Sequence, residues 1–179
     1  DLNNGLNELD LSQNFMLNFH PRRSNSIKKL VLRNVSKDLV NKLSLNSLFV
    51  NIEHIDISIN LIEYQTNQNL FKNLNKLKHL NLSSTGLSSL TLLDFEGSVE
   101  LSWLDLSFNK LTIIKSNDFE NTIGLNYLYL ENNMIFYIEK YSFSFLQVLI
   151  YLNLNNNELK YFDLNEFNSK FLRHVHLKN

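Results

Sequence analysis

The sequence predicts a solenoid of about eight stacked coils, and three recurring features carry that prediction. A motif of the form L-x-x-L-x-L-x-x-N-x-L recurs along the 179-residue chain. Its copies begin 21 to 25 residues apart, and a fixed period in this range is typical of proteins in which each coil buries its apolar face against its neighbours. A phenylalanine follows the start of four copies at the same distance, 18 residues.

Each copy of the motif predicts one short strand. The best example is LSWLDLSFNKL at residues 101–111, which fits every fixed position. Apolar and polar residues alternate within it, and a period of two indicates a strand with one buried face. Leu104 and Leu106 are therefore expected to point into the core, while Trp103 and Asp105 point outward.

A row of asparagines is expected to connect neighbouring coils. At the ninth motif position, a buried amide can bond backbone groups that would otherwise lack partners. Two coils depart from the row, because Val35 stands at this position with Asn34 one place early, and Thr85 is a smaller hydrogen-bonding side chain. We expect a local distortion at Val35. The eight copies begin at Leu6, Ile27, Ile52, Leu77, Leu101, Leu125, Leu149 and Leu172, and the asparagines are Asn14, Asn60, Asn109, Asn133 and Asn157.

A second row is aromatic. Phe95, Phe119, Phe143 and Phe167 occupy equivalent places in four successive coils. Large rings at one position are expected to stack as a spine that fills the core between each strand and its return segment. We interpret the buried leucines, asparagines and phenylalanines as scaffold, not as a functional site.

Composition limits the classes of function. The formal net charge is -1 at pH 7, so the chain lacks the basic surface that nucleic-acid binding favours, and no nucleic-acid partner is expected. No apolar run approaches the roughly 20 residues that span a bilayer, so we expect no membrane insertion of this segment. Its lack of cysteines excludes disulfides and thiolate zinc sites within it.

The residues give little basis for catalysis, for a metal or for a cofactor. The four glycines are scattered, so no phosphate-binding loop can be drawn, and no nucleophile has a recognisable base partner. Asp56 and Asp105 occupy outward positions two coils apart, about 10 Å at the spacing of neighbouring strands, where solvated acidic residues are the simpler interpretation. His174 and His176 form an H-x-H pair without an evident third ligand. We predict a protein that is not an enzyme and has no metal site or cofactor.

The chain resembles the leucine-rich repeat superfamily, specifically its typical class of about 24 residues per repeat. The motifs that carry the resemblance best are LSWLDLSFNKL, LNYLYLENNMI and LIYLNLNNNEL. The resemblance implies an α/β repeat, a right-handed solenoid with a parallel sheet on its concave face and mostly loops and short turns on its convex side. Residues 1–179 are expected to form a single solenoid that is a fragment of a longer repeat protein, because no capping sequence is present at either end.

The outward positions of the predicted strands suggest where a ligand binds. The third position is aromatic or imidazole from the third copy of the motif onward. A contiguous patch of exposed large apolar side chains tends to mark an interaction surface, and Trp and Tyr are frequent hot-spot residues. Cross-strand stacking that stabilises the sheet is the alternative explanation. The candidate ligand-binding residues are His54, His79, Trp103, Asp105, Phe108, Tyr127, Tyr129 and Tyr151.

Two classes of function fit this sequence. Typical-class repeats are common in Toll-like receptor ectodomains and secreted insect immune proteins, so the resemblance implies an extracellular recognition module, either secreted or part of a membrane receptor. A protein is the expected ligand of such a module, and a glycan or a lipid-bearing molecule is the alternative. The chain could also form a dimer. The other class is a structural or adhesive protein, or an intracellular scaffold. Sequons at Asn34 and Asn81 favour the first class.

Overall fold

The computed structural model describes residues 5–15, 23–36, 39–40, 43, 45–62 and 70–178. These residues form ten short strands: β1 (Glu8–Asp10), β2 (Lys29–Val31), β3 (His54–Asp56), β4 (His79–Asn81), β5 (Trp103–Asp105), β6 (Ile113–Ile114), β7 (Tyr127–Tyr129), β8 (Tyr137–Ile138), β9 (Tyr151–Asn153) and β10 (His174–His176). Eight of them form one parallel sheet in the order β1, β2, β3, β4, β5, β7, β9, β10. This sheet confirms the predicted repeat solenoid, with one strand for each copy of the motif.

The described coils contain few helical residues outside the eight-stranded sheet. Strands β6 and β8 pair as a second, two-stranded parallel sheet. The described residues include an α-helix, α1 (Leu45–Leu48), two 3-10 helices at Leu90–Leu92 and Leu164–Glu166, and helical backbone at residues 39–40. The predicted mixture of loops and short turns is confirmed, and the small second sheet was not foreseen.

The fourth and sixth motif positions form the core. Leu104, Leu106, Leu128 and Leu152 are all essentially inaccessible to solvent, as the period of two predicted. In the sheet, Leu104 pairs with Leu128, which in turn pairs with Leu152. Equivalent positions therefore lie in rows across the sheet, and any outward position of one coil lies beside the same position of the next.

The row of buried asparagines is confirmed for Asn60, Asn109, Asn133 and Asn157. Asn14 departs from it, because its side chain is exposed and donates to carbonyls of its own coil. Asn109 shows how the row works. Its amide nitrogen donates to the carbonyl oxygens of Leu82 in the preceding coil, at 2.8 Å, and of Leu106 in its own coil, at 3.0 Å. Its side-chain oxygen accepts the backbone N–H groups of Thr85 and Leu87, each at 3.0 Å. One buried amide thus satisfies backbone groups of two coils.

The predicted distortion at Val35 was wrong. Strand β2 pairs in unbroken register with both of its neighbours. The reason is that Asn60 of the next coil reaches back, accepting the Val35 N–H at 2.9 Å and donating to the Leu32 carbonyl at 2.6 Å. Because each amide bonds backwards, the following asparagine serves the backbone of a coil that lacks its own.

A left-handed residue precedes the asparagine position in the first seven coils. Its φ lies between 49° and 60° in every case, although residues other than glycine rarely adopt that conformation. The motif leaves this place unspecified, so the sequence did not predict it. The residues are Gln13, Asn34, Ile59, Ser84, Phe108, Asn132 and Asn156.

The aromatic spine is confirmed for part of its length. The rings of Phe119 and Phe143 stack with centroids 5.8 Å apart, and those of Phe143 and Phe167 with centroids 4.8 Å apart. Phe95 instead stacks on Phe71, at 6.1 Å. Phe71 was missed because it lies 19 residues after the start of its 25-residue coil, one place beyond the pattern.

Candidate functional site

The concave sheet carries a continuous array of rings, which we call the aromatic strip. It combines six third-position residues with two fifth-position residues of neighbouring strands. Each third-position side chain lies beside its equivalent in the next strand, because the register is unbroken from β3 to β10. The aromatic strip comprises His54, His79, Trp103, Tyr127, Tyr151 and His174 at the third position, and Tyr129 and His176 at the fifth.

The path of ring contacts differs from a straight column. Trp103 and Tyr127 are paired in the sheet, but the ring contact of Trp103 on this side is with Tyr129, at 5.2 Å. Tyr129 then meets Tyr151 at 5.1 Å. The path therefore shifts from the third to the fifth position at β7, where Tyr129 is half-buried and Tyr127 is 39% exposed.

Both ends of the aromatic strip are imidazoles. His54 stacks on His79 with centroids 4.4 Å apart, and His79 lies 6.0 Å from Trp103. Burial lowers the pKa of both imidazoles below the usual 6.5, and His54 lowers the pKa of His79 further. These two rings are therefore mainly neutral at pH 7. At the other end, Tyr151 contacts His176 at 5.2 Å, a residue that the sequence had suggested only as half of an H-x-H pair.

Phe108 lies beyond the end of β5 in the left-handed turn and is 58% exposed. Its backbone N–H donates to the carbonyl of Glu131 at 3.0 Å. The turn therefore holds an exposed ring close to the end of β7. The structure thus places all eight predicted residues on one face or at its edge.

Fifth-position Asp and Asn side chains shape the turn after each strand. In five coils the side-chain oxygen accepts the backbone N–H two residues further on, at 2.8 to 3.1 Å. Asp105 belongs to this set and bonds the N–H of Ser107 at 2.8 Å. The whole set is Asp10, Asp56, Asn81, Asp105 and Asn153.

Asp56 and Asp105 differ in whether a neighbouring cation balances the charge of the carboxylate. The Arg33 guanidinium donates through Nε to Asp56 at 2.7 Å, and the pair lines a depression of about 200 Å³ beside His54, His79 and Trp103. Asp105 makes no ion pair with any described residue. Burial raises the pKa of its carboxyl group, against the hydrogen bonds from Ser107.

Glu131 is a second carboxylate at this place, and the sequence analysis missed it. Its Oε2 is buried and has no hydrogen-bond partner among the described residues. Burial raises the pKa of the Glu131 carboxyl group, and the charge of Asp105 raises it further. Glu131 stands where the two preceding coils have serine, so no repeat pattern marked it.

The two sequons lie in different environments. Asn34 is exposed in the left-handed turn after β2. Asn81 is half-buried on the concave sheet, where its oxygen accepts the Ser83 N–H at 2.9 Å and its amide nitrogen lies 3.4 Å from an Asp56 oxygen. The Asn34 amide is therefore the more accessible of the two.

A larger concavity, of about 500 Å³, lies away from the sheet around residues 90–95 and 115–121. Two of its acidic side chains accept backbone N–H groups. Asp118 accepts the Lys115 N–H at 2.7 Å, and Glu139 accepts the Ser116 N–H at 3.0 Å. No group of three or more potential metal ligands is found in the described ranges, and none of the helices seen there has the length and hydrophobicity to cross a bilayer.

No family model and no curated protein matches the sequence. Solved structures do match. The chain is 24% identical to one in the crystal structure of the mouse RP105/MD-1 complex over 97% of its length, with a TM-score of 0.70. It is 23% identical over 86% to a chain of the TLR13-ssRNA13 complex, with a TM-score of 0.67, and 21% identical over 86% to one of the Drosophila Toll-Spatzle complex, with a TM-score of 0.64.

These likenesses show the fold that the motif predicted. The chain spans only 21%, 30% and 20% of the TLR13, RP105 and Toll structure chains, respectively. It has the leucine-rich repeat fold, with the candidate residues on the parallel sheet or, for Phe108, in the turn beyond it.

Proposed function

We propose that this leucine-rich repeat chain is a non-catalytic recognition module that binds a protein partner through its aromatic strip. One observation carries the proposal, namely the ring contacts that connect six neighbouring strands on the open face of the sheet. Large rings on a rigid platform lose little conformational entropy on binding and supply most of the energy at protein interfaces. A glycan is the second choice, since sugars also pack on aromatic faces.

The proposed role belongs to the extracellular space, in a secreted protein or a receptor ectodomain. Two of the similar solved structures are complexes of receptors with proteins, RP105 with MD-1 and Toll with Spatzle. The third is a complex with single-stranded RNA. The carboxylates of Asp105 and Glu131 beside the aromatic strip disfavour a phosphate-bearing ligand here, since they would repel it.

Alanine substitutions in the aromatic strip test the proposal. Trp103→Ala and Tyr127→Ala are each expected to weaken binding of the purified native partner at least tenfold, because truncating a central aromatic residue typically costs about 2 kcal/mol or more of binding. Isothermal titration calorimetry measures the change, and circular dichroism checks that each variant is folded.

Tyr161→Ala is the matched control. Tyr161 is 78% exposed and lies outside the eight-stranded sheet, so its removal is expected to leave the affinity unchanged. If both strip variants bind as tightly as the wild type while Tyr161→Ala loses affinity, the partner binds elsewhere and the rings serve only to stabilise the sheet.

Glycosylation tests the extracellular assignment. We expect mass spectrometry of native material to find glycan at Asn34, because its side chain is exposed, and little or none at Asn81, whose amide is engaged on the sheet. Asn34→Gln should remove the modification. Native protein without glycan at either sequon would support the alternative of an intracellular scaffold.

A further inference from the structure

We propose that Asp105 and Glu131, flanked by Trp103 and Tyr129, form a subsite for a cationic side chain, an arginine or a lysine, of the protein partner. This inference rests on the proposed function and specifies the chemistry that the concave face recognises. Three observations carry it: a negative charge that the turn does not require, an aspartate–arginine pair at the equivalent position of another coil, and a buried carboxylate oxygen that has no partner among the described residues.

The turn after β5 does not require a carboxylate. Asn81 and Asn153 make the same hydrogen bond to the N–H two residues on, at 2.9 and 3.1 Å, with a neutral amide. Asp105 makes it at 2.8 Å. Since asparagine performs this structural role in neighbouring coils, the turn does not require the negative charge of Asp105.

The chain itself shows which group fits an aspartate at this position. Arg33, at the seventh motif position, bonds Asp56, at the fifth position of the next coil. The residue that stands in the same relation to Asp105 is Ser83, which carries no charge. A guanidinium or ammonium group that meets Asp105 in this way must therefore come from outside the described part of the chain.

Glu131 places a second carboxylate beside the first. Its Oε2 is buried and has no hydrogen-bond partner in the described part of the chain, and an unsatisfied buried acceptor is unfavourable. Burial, and then the charge of Asp105, raise the pKa of the Glu131 carboxyl group. A cation bound beside the two carboxyl groups favours their charged forms, whereas an anion disfavours them.

The neighbouring rings complete the subsite. Tyr129 is the direct sheet partner of Asp105, and its ring lies 5.2 Å from that of Trp103. Guanidinium and ammonium groups are attracted to the faces of Trp and Tyr rings, most strongly where water is excluded. Carboxylates and rings together select a side chain with a charged end and an apolar stem.

The single tryptophan of the chain is Trp103, so its fluorescence reports on this subsite directly. We would titrate millimolar concentrations of three blocked glycine pentapeptides, containing two arginines, two lysines or two glutamines. The arginine or lysine peptide is expected to change the emission saturably, and the glutamine peptide is not. Asp105→Asn and Glu131→Gln should each weaken binding of the cationic peptide at least fivefold.

Asp118→Asn is the matched control, because Asp118 is a carboxylate whose pKa is raised by burial but which lies away from the sheet. It should bind the peptides like the wild type. Asp105→Asn keeps the turn acceptor, so thermal denaturation should show it folded. Equal responses to the arginine, lysine and glutamine peptides, no response to any of them, or unchanged binding in both carboxylate variants overturns the inference.

The two proposals fail in different ways. If Trp103→Ala loses the native partner while Asp105→Asn and Glu131→Gln bind it as the wild type does, the recognition surface stands and the cationic subsite is wrong. If Trp103→Ala keeps the partner, the proposed function itself is wrong.

Discussion

Phe143→Ala is expected to lower the free energy of unfolding by about 4 kcal/mol, the loss typical for a fully buried phenylalanine. Phe143 is 1% exposed and stacks on rings of both adjacent coils, at 5.8 Å to Phe119 and 4.8 Å to Phe167. Its removal leaves a cavity lined by rings of both adjacent coils, which relax into it only in part. Chemical denaturation followed by circular dichroism measures the loss.

Phe145→Ala serves as the control for this prediction. Phe145 lies two residues further along the same coil and is exposed, and surface substitutions usually change stability by less than about 0.5 kcal/mol. Equal stability of the Phe143 and Phe145 variants would show that the rings do not support the stack.

Because each coil contacts mainly its neighbours, the coils around residue 143 should unfold first in the Phe143→Ala variant.

Asn133→Ala is expected to destabilise the protein by about 2–4 kcal/mol, since it leaves several buried backbone groups without partners at about 1–3 kcal/mol each. Asn133 donates to the carbonyls of Leu106 and Leu130, each at 3.0 Å, and accepts the Leu111 N–H at 3.0 Å. A methyl group replaces none of these bonds, and the site is closed to bulk water. The unfolding midpoint in urea, with its slope, measures the effect.

Two comparisons isolate the role of the amide. Asn121→Ala removes an exposed side chain and should leave the midpoint unchanged. Val35→Ala shortens a buried side chain in the same row without removing a hydrogen bond. The bond to Asn60 is kept because it runs from the backbone N–H of residue 35 to the side-chain oxygen of Asn60. This substitution should cost only the lost packing. An Asn133→Ala midpoint equal to that of the wild type would contradict the role assigned to the row.

Both predictions concern the scaffold that holds the proposed recognition surface. The aromatic strip lies on the strands of the same coils that the buried phenylalanines and asparagines stabilise. A partner that binds Trp103 and Tyr127 meets rings whose positions are fixed by strand register and by contact with one another. Loss of scaffold stability should therefore lower the fraction of binding-competent protein before it changes the surface itself.

The sequence by itself determined the coil, the sheet and the face that bears the candidate residues. A fixed period turns motif position into place in the solenoid, so the leucine, asparagine and phenylalanine rows could be assigned without coordinates. The same rule put His54, His79, Trp103, Tyr127 and Tyr151 in one column, and their pairing in the sheet agrees.

Only the tertiary structure decided how those side chains meet their neighbours. The ring of Trp103 contacts that of Tyr129, and Asp56 pairs with Arg33. Among the described residues, Asp105 has no such cation and the buried Glu131 oxygen has no hydrogen-bond partner. The register is also intact at Val35. The physical reason is that a repeat fixes backbone positions, which every coil shares, whereas side-chain direction, burial and charge pairing depend on the particular residues of two or three adjacent coils.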